Sequence, residues 1–339
     1  MPEFRQNMAT REWVIVASER AERPDQFTRR RAERRVITQL SENCPFCPGN
    51  EHLTPPPTLV IRNGNQWSVR VVPNKYAALR ADDSNEREKI GLFLKAGGYG
   101  IAEVIIETPR HDLSIATMPE TQVRLVLQAY RERTRQVAKM QNVNFVTLFR
   151  NHGERAGTSL QHPHSQLIAT PIIPPNVRDQ IHQSMMSYDS YGTCVFCEMM
   201  AEELEQGERL IINSEKFVAF VPFASRSPFE IKILPKEHRA FFGDVTDEEL
   251  DDLARVLKTV LLKVYKGLDD PDYNYIIHSA PVGDDDARYS HWYIMVVPRL
   301  TTPAGFEMGS GIYINVMAPE RCARVLKNVE IDAYAEESV

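Results

Sequence analysis

The sequence predicts an α+β protein built from two copies of one unit, and three observations carry that reading. Two CxxC pairs, Cys44-Pro45-Phe46-Cys47 and Cys194-Val195-Phe196-Cys197, each hold Phe before the second Cys. Each pair is followed, in the same order, by an apolar strand with a histidine just past its end, an amphipathic helix, and a strand opened by a second histidine. The histidine intervals nearly match, with 51 residues from His111 to His162 and 53 from His238 to His291.

Taken in order, the first copy has an apolar strand from Ile101 to Ile106, then Pro109-Arg110-His111. Thr117-Met118-Pro119-Glu120 reads as a capping box with proline at a helix start, leading into Val123, Leu127 and Tyr130. His162 opens the strand that runs through Leu167-Ile168-Ala169 to Pro171. In the second copy the strand from Phe229 to Leu234 precedes Pro235-Lys236-Glu237-His238. Thr246-Asp247-Glu248-Glu249 is a second capping box, and Leu250, Leu253, Leu257, Val260, Leu261 and Val264 follow at helical spacing. His291 opens the strand from Trp292 to Val297, closed by Pro298. The CxxC-to-histidine intervals differ, 67 residues against 44, and the excess is expected in the loop after Pro73-Asn74-Lys75-Tyr76, where insertion costs little. The copies are bounded at 1–180 and 190–330.

A chain of 339 residues, 42% hydrophobic and 25% charged, can bury one large core or two ordinary ones. It has no apolar run of membrane-spanning length and no signal-peptide core, so a cytoplasmic protein with no membrane partner is expected. A net charge of -6 offers no field for a polyanion, which argues against nucleic-acid binding. The run Arg29-Arg30-Arg31 to Arg34-Arg35 is interrupted by acids and reads as a solvated loop.

In a reducing compartment CxxC pairs are metal knuckles or redox motifs, and neither pair follows a buried strand in the manner of a redox motif. Zinc is therefore expected, two structural ions per chain, each closed by two thiolates and two histidines. The first set is Cys44, Cys47, His111 and His162; the second is Cys194, Cys197, His238 and His291. Cys322 stands alone and reads as a small buried hydrophobe.

Aligning the copies separates two neighbouring histidines. His162 matches His291, whereas His164 matches Tyr293 and Gln166 matches Met295, so only the first copy keeps an imidazole and an amide past the metal position. A neutral imidazole attacks phosphorus without first losing a proton, and its adduct is labile enough to be passed on. Gly153 to Ser159, with Gly157 among them, is a bend whose N–H groups suit phosphate oxygens.

The string FxNxGxxxGxxxxHPHxQ, from Phe149 to Gln166, resembles the active-site signature of the galactose-1-phosphate uridylyltransferase family of the histidine-triad superfamily. Arg150 and His152 depart from the usual residues at their places. The resemblance covers Arg20 to about Val329 and implies two fused histidine-triad-like repeats with mainly antiparallel sheet and pseudo-twofold symmetry. It implies that His162 binds zinc and that His164 carries the nucleotidyl group, with Gln166, Ser159, Asn151 and Arg20 holding phosphate oxygens. By the same resemblance Arg20 and Arg23 approach the phosphates, Asn74 contacts the nucleotide, and Glu307 bonds sugar hydroxyls. The implied activity moves UMP between UDP-glucose and a hexose 1-phosphate, in a homodimer. The segment GFEMGSG at 305–311 resembles instead the branch that includes ADP-glucose phosphorylase, and with His152 and with Lys75, where the familiar uridylyltransferases have Asp, it implies the alternative of an adenylyl donor and phosphate as acceptor. A non-catalytic zinc protein that binds nucleotides is the alternative of another class.

Overall fold

The computed structural model describes residues 1–20, 38–284 and 287–331. The basic run at 29–35 and Arg23 lie outside the described residues, as does the side chain of Arg20.

The chain begins with β1 (Glu3–Gln6) and β2 (Trp13–Val16), and the first repeat follows as β3 (Leu59–Asn63), β4 (Gln66–Pro73), β5 (Arg87–Ile90), β6 (Phe93–Ala96), β7 (Ile101–Ile106), α1 (Glu120–Ala138), β8 (Phe145–His152) and β9 (His164–Thr170). Two helices, α2 (Pro175–Tyr191) and α3 (Val195–Gln206), lead to the second repeat. It comprises β10 (Leu210–Asn213), β11 (Phe217–Phe220), β12 (Ile231–Pro235), α4 (Asp247–Gly267), β13 (Tyr273–His278) and β14 (Tyr293–Pro298). The chain then forms α5 (Gly305–Ser310), β15 (Tyr313–Asn315) and α6 (Pro319–Lys327).

Ten strands form one sheet in the order β3-β4-β7-β9-β8-β13-β14-β12-β11-β10, antiparallel at every pairing. The order is the same from either end, so a pseudo-twofold axis runs between β8 and β13. Strand alternation gives the sheet two faces. Ile105, Leu148, Leu167, Tyr275, Ile294 and Ile233 join the main core, to which α1 and α4 contribute Leu127, Tyr130, Leu257 and Leu261. Their neighbours Val104, Ile106, Leu234 and Tyr293 face the other way, into smaller clusters that include the two CxxC pairs.

The two long helices start differently. At α4 the Thr246 side chain accepts from the Glu249 N–H and Glu249 reaches back to the Thr246 N–H, the expected capping box. At α1 the expected box does not form: Pro119 is the cap residue and the Thr117 hydroxyl turns to Ser114. With Pro119 extended at ψ 147°, Glu120 becomes the first helical residue, too early to act as the acid of a box.

The extra length of the first repeat is a β5–β6 hairpin, not a plain loop. The N-terminal residues, set with 1–180 by sequence, pair with the far end of the chain: β2 lies parallel to β15, and Arg5 bonds Glu320 at 2.7 Å. Among the described residues no helix is long and apolar enough to cross a membrane.

Candidate active site and metal centres

Strand β9 sits between β7 and β8, and alternation sends Ser165 and Leu167 toward the helices and His164 and Gln166 toward the open face. Across that face Val72, Val104, Gln166, Phe149, Ile276, Met295 and Lys232 are register partners on successive strands. His164, 8% exposed, lies under the Phe46 ring, whose centroid is 5.5 Å away. Its Nδ1 is 2.8 Å from the His162 carbonyl, which has no proton to give, so Nδ1 carries the hydrogen and Nε2 the lone pair. Burial pushes the His164 pKa down, against that hydrogen bond and the nearby Glu107, which favours the neutral ring.

Beneath the strand is a buried polar network that the sequence reading missed. Glu107 follows β7 directly; its carboxylate accepts from Arg150 at 2.6 Å, from the Tyr130 hydroxyl at 3.1 Å and from the Ser165 hydroxyl. Tyr130 in turn lies 2.6 Å from the Tyr275 hydroxyl of the second repeat. Burial opposes the Arg150 charge most, but Glu107 together with Tyr273, Tyr275 and Tyr130 outweighs it and keeps the guanidinium protonated. Arg150 was visible as a departure from the family pattern, whereas nothing in the sequence pointed to Glu107. Ser165 hangs between His164 and Gln166, so the network locks the strand that carries both.

The bend from Gly153 to Gly157 follows β8. Gly153 has φ 84° and Gly157 φ 91°, and a Cβ on Gly153 would strike the Asp272 carboxylate, so this turn excludes larger residues. Asn151 lies two residues past Phe149, which pairs with Gln166, and therefore beside His164. Ser159 is exposed on the same connection. Asn74 lies just past β4, where its side chain accepts from the Tyr76 N–H at 3.0 Å. Glu307 caps its own helix at the Ala304 N–H and lines a cleft of about 410 Å³ with Arg226, Arg299, Met295 and Tyr313. That cleft includes Ile276 and Met295, two and three strands, about 10 and 14 Å, from Gln166.

The four first-repeat ligands converge: Cys44, Cys47, His111 and His162 place one donor atom each within 4.8 Å of one another. Cys47 Sγ is 3.5 Å from Nδ1 of both histidines, whose Nδ1 atoms are 3.3 Å apart. Tetrahedral zinc with Zn–N and Zn–S bonds of about 2.0–2.3 Å needs ligand separations of roughly 3.3–3.8 Å, so the donor set fits that ion. The His162 Nε2 faces the Thr108 carbonyl at 2.8 Å, which fixes the tautomer that leaves Nδ1 free to ligate.

In the second repeat Cys194, Cys197 and His238 converge, with Cys197 Sγ at 3.4 Å from His238 Nδ1. His291 lies beside them, its ring 5.3 Å from that of His238, but it is not gathered into the group. Its Nδ1 faces the Trp292 carbonyl at 2.9 Å and its buried Nε2 has no hydrogen-bond partner. Cys194 stands at the start of α3, and hydrogen bonds from Cys197, then His238, pull its thiol below the usual range. Cys322 is fully buried in α6, as expected.

Known proteins resemble this chain along most of its length. A family model described as galactose-1-phosphate uridyl transferase, N-terminal domain, matches residues 1–174, and one described as a domain of unknown function, DUF4921, matches 113–335. An ADP-glucose phosphorylase of Arabidopsis thaliana is 34% identical over 97% of this chain and 93% of its own. A galactose-1-phosphate uridylyltransferase of Thermotoga maritima is 31% identical over 98% of this chain and 100% of its own. The crystal structure of an Arabidopsis thaliana ADP-glucose phosphorylase with bound ADP-glucose superposes with TM-score 0.84, at 33% identity, covering 98% of this chain and 100% of that one. A solved uridylyltransferase structure gives TM-score 0.75 at 29% identity, covering 96% and 97%. The chain belongs to the galactose-1-phosphate uridylyltransferase family.

Proposed function

We propose that the protein is a nucleotidyltransferase that moves UMP between UDP-glucose and a hexose 1-phosphate through a nucleotidyl-His164 intermediate. The observation that carries this reading is the His164 tautomer, with Nδ1–H on the His162 carbonyl and a lone pair on Nε2 at the open face beside Gln166. In the first half-reaction the Nε2 pair forms a bond to the α-phosphorus and the bond from that phosphorus to the bridging oxygen breaks, releasing glucose 1-phosphate. The ring becomes cationic, and the His162 carbonyl and Glu107 stabilise that charge. In the second half-reaction a phosphate oxygen of the acceptor attacks and Nε2 leaves with its electron pair. Gln166, Asn151 and Ser159, with Arg20, hold the non-bridging oxygens as charge builds on them. Phe46, Val72 and Val104 give the nucleotide base an apolar wall near Asn74.

A second reading, an adenylyl donor with inorganic phosphate as acceptor, is favoured by Lys75, which stands exposed beside Asn74 where an acid would hold ribose hydroxyls. Mass spectrometry of the intact protein after exposure to UDP-glucose or ADP-glucose decides between them, because the added mass names the nucleotide. No adduct with either donor would sink both readings.

Both metal groups would hold structural zinc, giving two ions per chain, the second completed by His291 turning its free nitrogen to the group. Such an ion adds directly to folding free energy. Metal analysis finding one ion would limit this to the first repeat.

A further inference from the structure

The pair β8–β13 joins the repeats, and directly opposite Asn151 stands Asn274, which is 6% exposed. The Asn274 NH2 group donates to the Asn151 side-chain oxygen at 2.7 Å and to the Ala156 carbonyl at 2.9 Å. Its own oxygen accepts from Arg299 Nε. A guanidinium has only donors, so Arg299 fixes which end of the Asn274 amide faces it. The NH2 end must then face Asn151, and Asn151 must spend its oxygen there. What remains is the Asn151 NH2, and its nitrogen is the atom nearest Gly157, 3.8 Å from where a Cβ would stand. The same corner of the second repeat ties down the bend itself: the Asp272 carboxylate accepts the Arg155 N–H at 2.7 Å, and the Arg299 N–H donates to the Asp272 carbonyl at 2.7 Å.

We propose that Asn274, oriented by Arg299, is a positioning residue for nucleotidyl transfer: it sets the polarity of the Asn151 amide so that a donor, not an acceptor, meets the phosphate oxygens. The inference rests on the function proposed above, in which Asn151 serves those oxygens. It gives the second repeat a part in the chemistry of the first without any contact of its own with the substrate.

Asn274→Asp reverses the polarity. One carboxylate oxygen stays on Arg299, the other can only accept, and Asn151 must turn its NH2 inward and its oxygen to the substrate. The test is the rate of adduct formation on His164 at saturating nucleotide sugar, with metal content and melting temperature as controls. Asn274→Asp should slow it about 100-fold, the scale of losing one preorganised oxyanion donor. In an Asn151→Ala background the same change should alter the rate by less than about 2-fold, because the amide it misdirects is gone. If Asn274→Asp does not fold, Arg299→Met serves: it frees the Asn274 amide to turn over and should slow the reaction about 10-fold, again only while Asn151 is present. Wild-type rates in the single variants, or equal losses in both backgrounds, would overturn the positioning role. Absence of any adduct on the wild type is a different result, which overturns the function and this role together.

Discussion

In the first repeat β9 presents His164 and Gln166 to the open face; in the second, β14 presents Tyr293 and Met295 from the same places. Register extends the comparison: Val104 opposite Gln166 corresponds to Lys232 opposite Met295, and Asn151 corresponds to His278. In the second repeat the place of His164 is packed on several sides. Tyr293 stacks on His278 with centroids 4.5 Å apart, Lys232 lies 4.8 Å from its ring, and Gln180 of α2 bonds its hydroxyl at 3.3 Å. Both repeats nevertheless keep a CxxC pair and its partner histidines. The scaffold therefore keeps its cysteine and histidine groups in the repeat that lacks the His164 and Gln166 pair.

The largest expected effect is at His164. His164→Ala should lower transfer by on the order of 10⁴-fold or more, as loss of a covalent nucleophile does, with fold and metal content unchanged. Adding Tyr293→His and Met295→Gln to that variant should restore nothing, because Gln180, Lys232 and His278 still pack around position 293; measurable transfer from the triple variant would show the copies to be interchangeable.

Next comes the buried pair of Glu107 and Arg150 beneath β9, which has no counterpart in the second repeat, where Ile277 stands at the place of Arg150. Glu107→Gln leaves the Arg150 charge buried and should cost about 3–5 kcal/mol in denaturant unfolding. Replacing both by Leu should recover a good part of that. A single change that cost under 1 kcal/mol would mean that the charge finds another partner.

His278 should make the second repeat acid-sensitive. Burial, with Lys232 and Arg226 next, pushes its pKa down to about 3, against an ordinary value near 6.5. Above that ordinary value the ring is neutral folded or unfolded, and stability is flat. As pH falls below it, the unfolded chain takes a proton that the native state refuses, so stability declines by at most about 1.4 kcal/mol per pH unit. His278→Phe should flatten this part of the acid-unfolding curve; a parallel curve would show the ring already charged in the fold.

The smallest effect contrasts the helix starts. Thr246→Ala should cost about 1 kcal/mol, because it removes a working cap. Thr117→Ala should cost less, since that hydroxyl serves the Ser114 turn. Equal losses would mean that Thr117 supports α1 by another route.

By itself the sequence determined the duplication, the long helices, the strands around His164 and His291, and the first metal set. These follow from local pattern: period-two and period-3.6 hydrophobicity, Pro and Thr at element ends, and equal spacing of ligand-type residues. Even the difference between the repeats could be read from Tyr293 and Met295. The tertiary structure alone decided the ten-stranded order, the pairing of β2 with β15, and the Glu107 and Asn274 networks. Each joins residues far apart in the chain, and burial selects their partners rather than sequence spacing. Glu107 and Arg150 are 43 positions apart, Asn274 and Asn151 123. No periodicity marks such residues, because what fixes them is the cost of leaving a buried charge or amide unpaired, a quantity that exists only once the two repeats have closed on each other.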